Sequence, residues 1–331
     1  MNFRGQRKGI LFLVLLLLLV MTGCGASANP DAATPFVKSG LSKAQQGQYE
    51  DSLKDLTRAI ELDPKNAQAY QVRGISYTHL GRIPEALADL TRAIEINPKM
   101  DLAFQARGSA KVRAGQISEA IADYTRVIEI NPNFAEAFHD RGVCYLKLGR
   151  TAEALTDFTR AIEINPKHAP SYLMRALIKI QTATASQQPQ QRVEAIADFT
   201  RAIELDPRNA QAFVERGINF EALGRHTEAI ADFTRAIERN PKSVAAFFSR
   251  GYSYTVLEKD NEALADFTRA IELDPKDTRS LYYRAYLYKE RGRVSEAVRE
   301  YEQFLLLDPI NAQNTESRKY ATDYIAKNKG K

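Results

Sequence analysis

Residues 67–98 read Ala67-Gln-Ala-Tyr70-Gln-Val-Arg73-Gly74-Ile-Ser-Tyr77, then Leu80-Gly81-Arg82, Glu85-Ala86 and Asp89-Leu90-Thr91-Arg92-Ala93-Ile94-Glu95, and close on Asn97-Pro98. The closing proline returns at 64, 98, 132 and 166, then at 207, 241, 275 and 309, a spacing of 34 residues except for one of 41. Such a period is the signature of a stacked-repeat architecture. Eight copies run from Ala33 to Asn311, bounded at 33–66, 67–100, 101–134, 135–168, 169–209, 210–243, 244–277 and 278–311.

Numbering positions within a copy exposes its logic. Position 4 is large and apolar (Phe36, Tyr70, Phe104, Phe138, Tyr172, Phe213, Phe247, Leu281), and position 8 is glycine or alanine (Gly40 through Ala285). Position 20 is alanine in every copy but the first, which has Ser52, and position 24 runs from Leu56 to Tyr301. At helical spacing, positions 4, 8 and 11 share one face of a first helix, and 20, 24, 27 and 28 share one face of a second. These apolar faces must meet, with small residues where the backbones cross and aromatics beside them. Asn66, Asn209, Ser243, Asp277 and Asn311 stand where they cap the next first helix, just after a proline that cannot continue the previous one.

This pattern resembles the tetratricopeptide repeat family at its defining positions, over almost the whole chain. The resemblance implies an all-α, right-handed superhelical α-solenoid of eight helix-turn-helix repeats. The tail 312–331 adds a capping helix, with Tyr320, Ala321, Tyr324 and Ile325 at helical offsets, and then basic residues. An end cap is what a stacked array needs, because one hairpin cannot bury both its faces.

In this family, positions 2, 5, 6, 9, 12 and 13 of the first helices line a concave groove. The resemblance therefore places Leu173, Leu177, Val214, Ile218, Phe248, Tyr252, Tyr282, Tyr283 and Tyr286 in that groove. The early copies present polar or mixed side chains there, such as Gln71, Gln105 and His139. Tyrosines clustered on a polar surface suit a protein interface; the alternative is that they pack on the adjacent helix. The Lys and Asn set with which some co-chaperones of this kind clamp a carboxylate is missing, since position 6 reads Lys38, Val72, Ala106, Asp140, Met174, Glu215, Ser249 and Tyr283. An extended or helical protein segment is the expected occupant.

Features that recur almost invariantly from copy to copy read as structural. Arginine at position 7 recurs from Arg73 to Arg284, and an acid and a base three apart, from Asp55 with Arg58 to Asp266 with Arg269, are expected to pair on the second-helix surface. The seven-residue excess of the fifth copy, within 182–191, reads as a polar bulge between its helices.

The N-terminus reads as an address. Arg4, Arg7 and Lys8 precede an apolar run from Ile10 to Met21 and then Thr22-Gly23-Cys24, the order of a secretory signal. Met21-Thr22-Gly23-Cys24 resembles the bacterial lipoprotein box, which implies a signal peptide over 1–23, lipid on Cys24, a short linker over 24–32 and a place in the cell envelope. Gly25, where an Asp would signal inner-membrane retention, favours the periplasmic face of an outer membrane. Cleavage after Ala26-Ser27-Ala28, giving a secreted or periplasmic soluble protein, is the competing expectation.

Composition narrows the function classes. The formal charge of +5 falls to +2 without Arg4, Arg7 and Lys8, so no nucleic-acid partner is expected. His79, His139, His168 and His226 lie in different copies, and Cys24 and Cys144 make no metal spacing, so neither a metal, a cofactor nor a catalytic residue is expected. Cys144 is expected to be a buried, inert thiol. The expected function is a lipid-anchored adaptor that binds a protein or peptide partner in its groove. Self-association into a homodimer through the aromatic end is the alternative.

Overall fold

The computed structural model describes residues 28–307 and 315–328. The signal segment, Cys24, Pro309 and Asn311 lie outside the described residues. Within them the chain is all-α: α1 (Pro30–Gln45), α2 (Tyr49–Leu62), α3 (Ala67–His79), α4 (Ile83–Ile96), α5 (Asp101–Arg113), α6 (Ile117–Ile130), α7 (Ala135–Lys147), α8 (Thr151–Ile164), α9 (Ala169–Thr182), α10 (Gln188–Leu205), α11 (Ala210–Ala222), α12 (His226–Arg239), α13 (Val244–Val256), α14 (Asp260–Leu273), α15 (Thr278–Glu290), α16 (Val294–Leu307) and α17 (Thr315–Asn328). Contacts divide the chain into two compact units, 1–154 and 155–331, with the division inside α8. Each unit is a helical-repeat stack of hairpins.

The repeat chemistry decides each hairpin. At position 8 a methyl group would sit 2.6 Å from Leu90 Cγ at Gly74, or 2.6 Å from Phe233 Cε1 at Gly217. In the copies with glycine there, the position-24 side chain thus rests on bare backbone, and Leu56, Leu90, Phe233 and Phe267 are fully buried. The predicted caps form: Asn66, Asn209, Ser243 and Asp277 accept backbone N–H groups of Ala69, Ala212, Ala246 and Ser280. Between the helices of a hairpin, glycines at position 15 take a left-handed φ of +70 to +77°, as at Gly81 and Gly292, and in the seventh repeat Glu258 adopts φ +57°. That geometry is costly for a residue with a Cβ.

Two further positions complete the core. Position 3 (Ala69, Ala103, Ala137, Ala212, Ala246) and position 10 (Ser76, Ala110, Cys144, Ser253) are buried to zero exposure. They face the preceding repeat: Ala69 joins Leu56 and Ala59, Ala110 joins Ala86 and Leu90, and Leu287 joins Ala263 and Phe267. Cys144 sits in this way against Ala120 and Tyr124, where burial pushes its thiol up to about 11, so it is protonated and inert at neutral pH. At the C-terminus α17 lays Ala321, Tyr324 and Ile325 on Leu281, Tyr301 and Phe304.

The structure corrects two sequence expectations. The position-23 acid does not pair with the arginine three residues on. Asp89 instead receives the Arg73 guanidinium through two bonds of 2.6 and 2.9 Å, across the hairpin, while Arg73 also donates to Thr57 of the preceding repeat. Arg107–Asp123, Arg216–Asp232 and Arg250–Asp266 repeat the arrangement, and Asp55 uses Ser39 and Lys43 because the first copy has no arginine at position 7. The acid faces the hairpin interior, whereas Arg58 and Arg92 point to solvent and meet Glu61 and Glu95. In the fifth repeat, the extra residues are not simply a bulge. They add a helical turn, Gln188–Gln191, to the start of α10, with proline in its first turn where no N–H is needed.

Candidate functional site

Within each unit, successive first helices touch: α1 with α3 and α3 with α5, then α11 with α13 and α13 with α15. No pair of second helices packs comparably among the described residues, so each unit curves with its first helices on the inner side. The proposed groove residues all belong to the second unit and lie on α9, α11, α13 and α15.

The structure distributes those residues unevenly. Leu173 joins the core around Phe199 and Phe213, while Leu177 and Val214 lie half-buried against it. Ile218 is exposed at 36%. Phe248, Tyr252 and Tyr283 make one aromatic group. The Tyr283 ring stacks on buried Phe267 at 5.9 Å and meets Tyr252 edge-on at 5.3 Å and Phe248 at 5.8 Å. Arg279 covers Phe248, its guanidinium 4.4 Å from the ring centroid. Tyr282 turns toward the C-terminal core, 5.3 Å from Phe304 and 5.7 Å from Tyr301, and Lys289 lies over Tyr286 and Tyr320. Tyr282 is therefore mostly a packing residue, and its loss would disturb the cap. Leu177, Val214, Ile218, Tyr252 and Tyr283 remain as a partly exposed apolar strip.

Two carboxylates lie in the same strip. Glu215, Ile218 and Glu221 are spaced i, i+3 and i+6 on α11 and share one face. Glu221 accepts the Ser253 hydroxyl of α13 at 3.2 Å, and burial pushes its carboxyl up to about 7. Burial raises Glu215 as well, with only Gln211 bonding to it. In the first unit Asp140, at position 6 of its repeat, accepts the Gln105 amide, and burial beside Glu136 pushes it up to about 6. Gln105 Oε1 has no partner. Sequence reasoning used Glu215 and Asp140 only to argue against a carboxylate clamp, and it passed over Glu221.

His79 stacks on Tyr49, His168 bonds Ser171 and His226 reaches Ser253 at 3.5 Å. No group of three metal-binding side chains exists among the described residues, and no described helix is long and apolar enough to cross a membrane.

Tetratricopeptide repeat models match residues 37–101, 135–168, 191–244, 214–278 and 267–299, and a TPR repeat model matches 108–149. The chain belongs to the tetratricopeptide repeat family. No curated protein matches it. Among solved structures it is similar in fold to pilF of Pseudomonas aeruginosa, at a TM-score of 0.58 and 17% identity over 66% of this chain and 97% of that one. YrrB, described as a TPR protein with an unusual peptide-binding site, matches at a TM-score of 0.50 and 23% identity over 59% of this chain and 96% of its own. The APC/C hetero-tetramer Cut9–Hcn1 matches at 0.54 and 18%, over 82% of this chain and 52% of that one.

Proposed function

We propose that this protein is a binding adaptor, held at a bacterial cell envelope by lipid on Cys24, that takes a segment of a partner protein onto the inner face of its second unit. The half-open strip of Leu177, Val214, Ile218, Tyr252 and Tyr283 carries the reading. It is an apolar surface with aromatic anchors, and no segment among the described residues covers Ile218. The fold supports it, since TPR proteins such as YrrB, with its peptide-binding site, and the Cut9–Hcn1 assembly engage peptides or other chains. Tyr282, on which self-pairing through the aromatic end would depend, is spent inside the chain, so we favour a different protein as the partner.

Ile218→Arg, and separately Tyr252→Ala, should cut recovery of partners from an envelope extract at least tenfold while leaving helicity unchanged. Full recovery by both variants would refute this face as the binding site. Cys24→Ala should release the protein from the membrane fraction and abolish its labelling by a palmitate analogue. A mature N-terminus at Asn29 in the natural protein would instead establish cleavage after Ala28 and a soluble form.

A further inference from the structure

Most of the acids buried between the helices of a hairpin receive a cation, and two acids on the inner face of the second unit do not. Asp89, Asp232 and Asp266 each receive an arginine, Asp198 receives both Arg175 and Lys179, and Glu300 receives Arg284. Removing a carboxylate from water costs several kcal/mol, and these arginines offset it. Glu215 and Glu221 are half-buried, yet neither has an arginine or lysine beside it: Gln211 meets one, and Ser253, which also meets His226, the other. One hydroxyl or amide bond does not compensate a carboxylate. Both lie on the inner strip, six residues apart on α11, which is about 9 Å along the helix axis. Apart from this pair, the first helices of repeats five to seven place only uncharged side chains at the groove positions, among them Leu173, Met174, Leu177, Ile218 and Tyr252.

Beside Glu221 stand the phenol rings. Burial raises the Tyr283 phenol, with Tyr252, Tyr282 and then Glu221 adding to it, and its ring meets Tyr252 at 5.3 Å. A carboxylate next to tyrosine faces is a seat for an alkylammonium or guanidinium group, which gains from the charge and from the π-faces together. Phe248 already shows this chemistry inside the chain, with Arg279 over its ring.

We propose that the partner segment is basic as well as apolar: it places one lysine or arginine side chain against Glu221, Tyr252 and Tyr283 and a second against Glu215, with aliphatic side chains on Ile218 and Leu177. This rests on the groove reading above and adds the chemistry of the occupant. Two basic residues three apart in a segment of polyproline-II conformation share one face and stand about 9 Å apart, which matches the axial separation of the two carboxylates. The missing counter-charge is thus supplied by the partner, and an acidic segment is excluded by repulsion.

The test uses the full chain and three labelled peptides of leucine and alanine that differ only in two residues three apart: two lysines, two norleucines or two glutamates. The lysine peptide should bind at least tenfold more tightly than the norleucine peptide and lose most of that advantage between 50 and 500 mM salt. The glutamate peptide should not bind. Glu221→Gln keeps an acceptor for Ser253 but removes the charge, so it should bring lysine and norleucine peptides within about twofold at an unchanged melting temperature. Equal binding of lysine and norleucine peptides, abolished by Ile218→Arg, would overturn the charge preference and leave the groove standing. Binding unaffected by Ile218→Arg, or none to any peptide, would remove both.

Discussion

Gly251→Leu is expected to lower the stability of the second unit by about 3 kcal/mol or more, read as a shift of the denaturant midpoint. A methyl group at Gly251 would already sit 2.8 Å from Phe267 Cε1 and 3.0 Å from Cδ1, inside any permitted carbon contact. Phe267 has little room to retreat, because it is fully buried and packed on the Tyr283 and Phe248 rings. Overpacking by single methylenes costs about 1–3 kcal/mol, and leucine adds several at once. Gly251→Ala tests the mechanism. Alanine gains about 1 kcal/mol of helix propensity over glycine, which offsets part of the clash, so the net loss should be about 1 kcal/mol. Alanine stands naturally at this position in Ala176 and Ala285, opposite Phe199 and Tyr301, so the hairpin can open enough for one methyl. Adding Phe267→Leu should return part of the stability lost in Gly251→Leu. A Gly251→Leu protein as stable as the parent would show that the helices are not locked at this crossing. Because Phe267 supports Tyr283, the same variant should also weaken partner binding.

How much of this was legible in the sequence depends on what kind of signal each residue carries. Position 8 was readable, since a glycine recurring opposite an aromatic at a period of 34 has few explanations. The small buried residues at positions 3 and 10 were not, because alanine, serine and cysteine are common on any helix face. Only the packing of Ala69 on Leu56, or of Cys144 on Tyr124, shows that they join one repeat to the last. The acid–base reading failed for a related reason. Asp89 and Arg92 are neighbours on one helix and suggest a pair, whereas Arg73 lies sixteen residues back and reaches Asp89 only once the hairpin folds. The tyrosines divided likewise. Tyr282 and Tyr283 are adjacent in sequence but point about 100° apart on a helix, so one enters the cap and the other floors the strip. Glu221 carried a signal that went unused: an acid on the apolar face of a first helix, in register with Glu215 and Ile218 and given no arginine.

The contrast between two kinds of ion pair yields the other large effect. Asp232→Ala should cost about 3 kcal/mol, whereas Glu238→Ala, in the same helix α12, should cost less than about 0.5 kcal/mol. The Arg235–Glu238 pair is exposed, at 61% and 47%, so water solvates either partner when the other is lost. Asp232 is 6% exposed and Arg216 17%, with guanidinium bonds of 2.7 Å to both carboxylate oxygens and 2.9 Å to Thr200 of the preceding repeat. Removing the acid leaves the guanidinium between the Phe213 and Phe220 rings without its counter-charge, and the penalty is that of an uncompensated ion rather than of one lost bond. If this account holds, Arg216→Leu introduced into the Asp232→Ala protein should cost little more, or restore stability, because it removes the stranded charge. Strictly additive losses in that double-mutant cycle would mean that the pair is solvated and the arginine at position 7 has another purpose. The same reasoning bears on the groove. A chain that loses this much when one buried charge is left unmatched tolerates Glu215 and Glu221 only where water, or a partner's cation, can reach them.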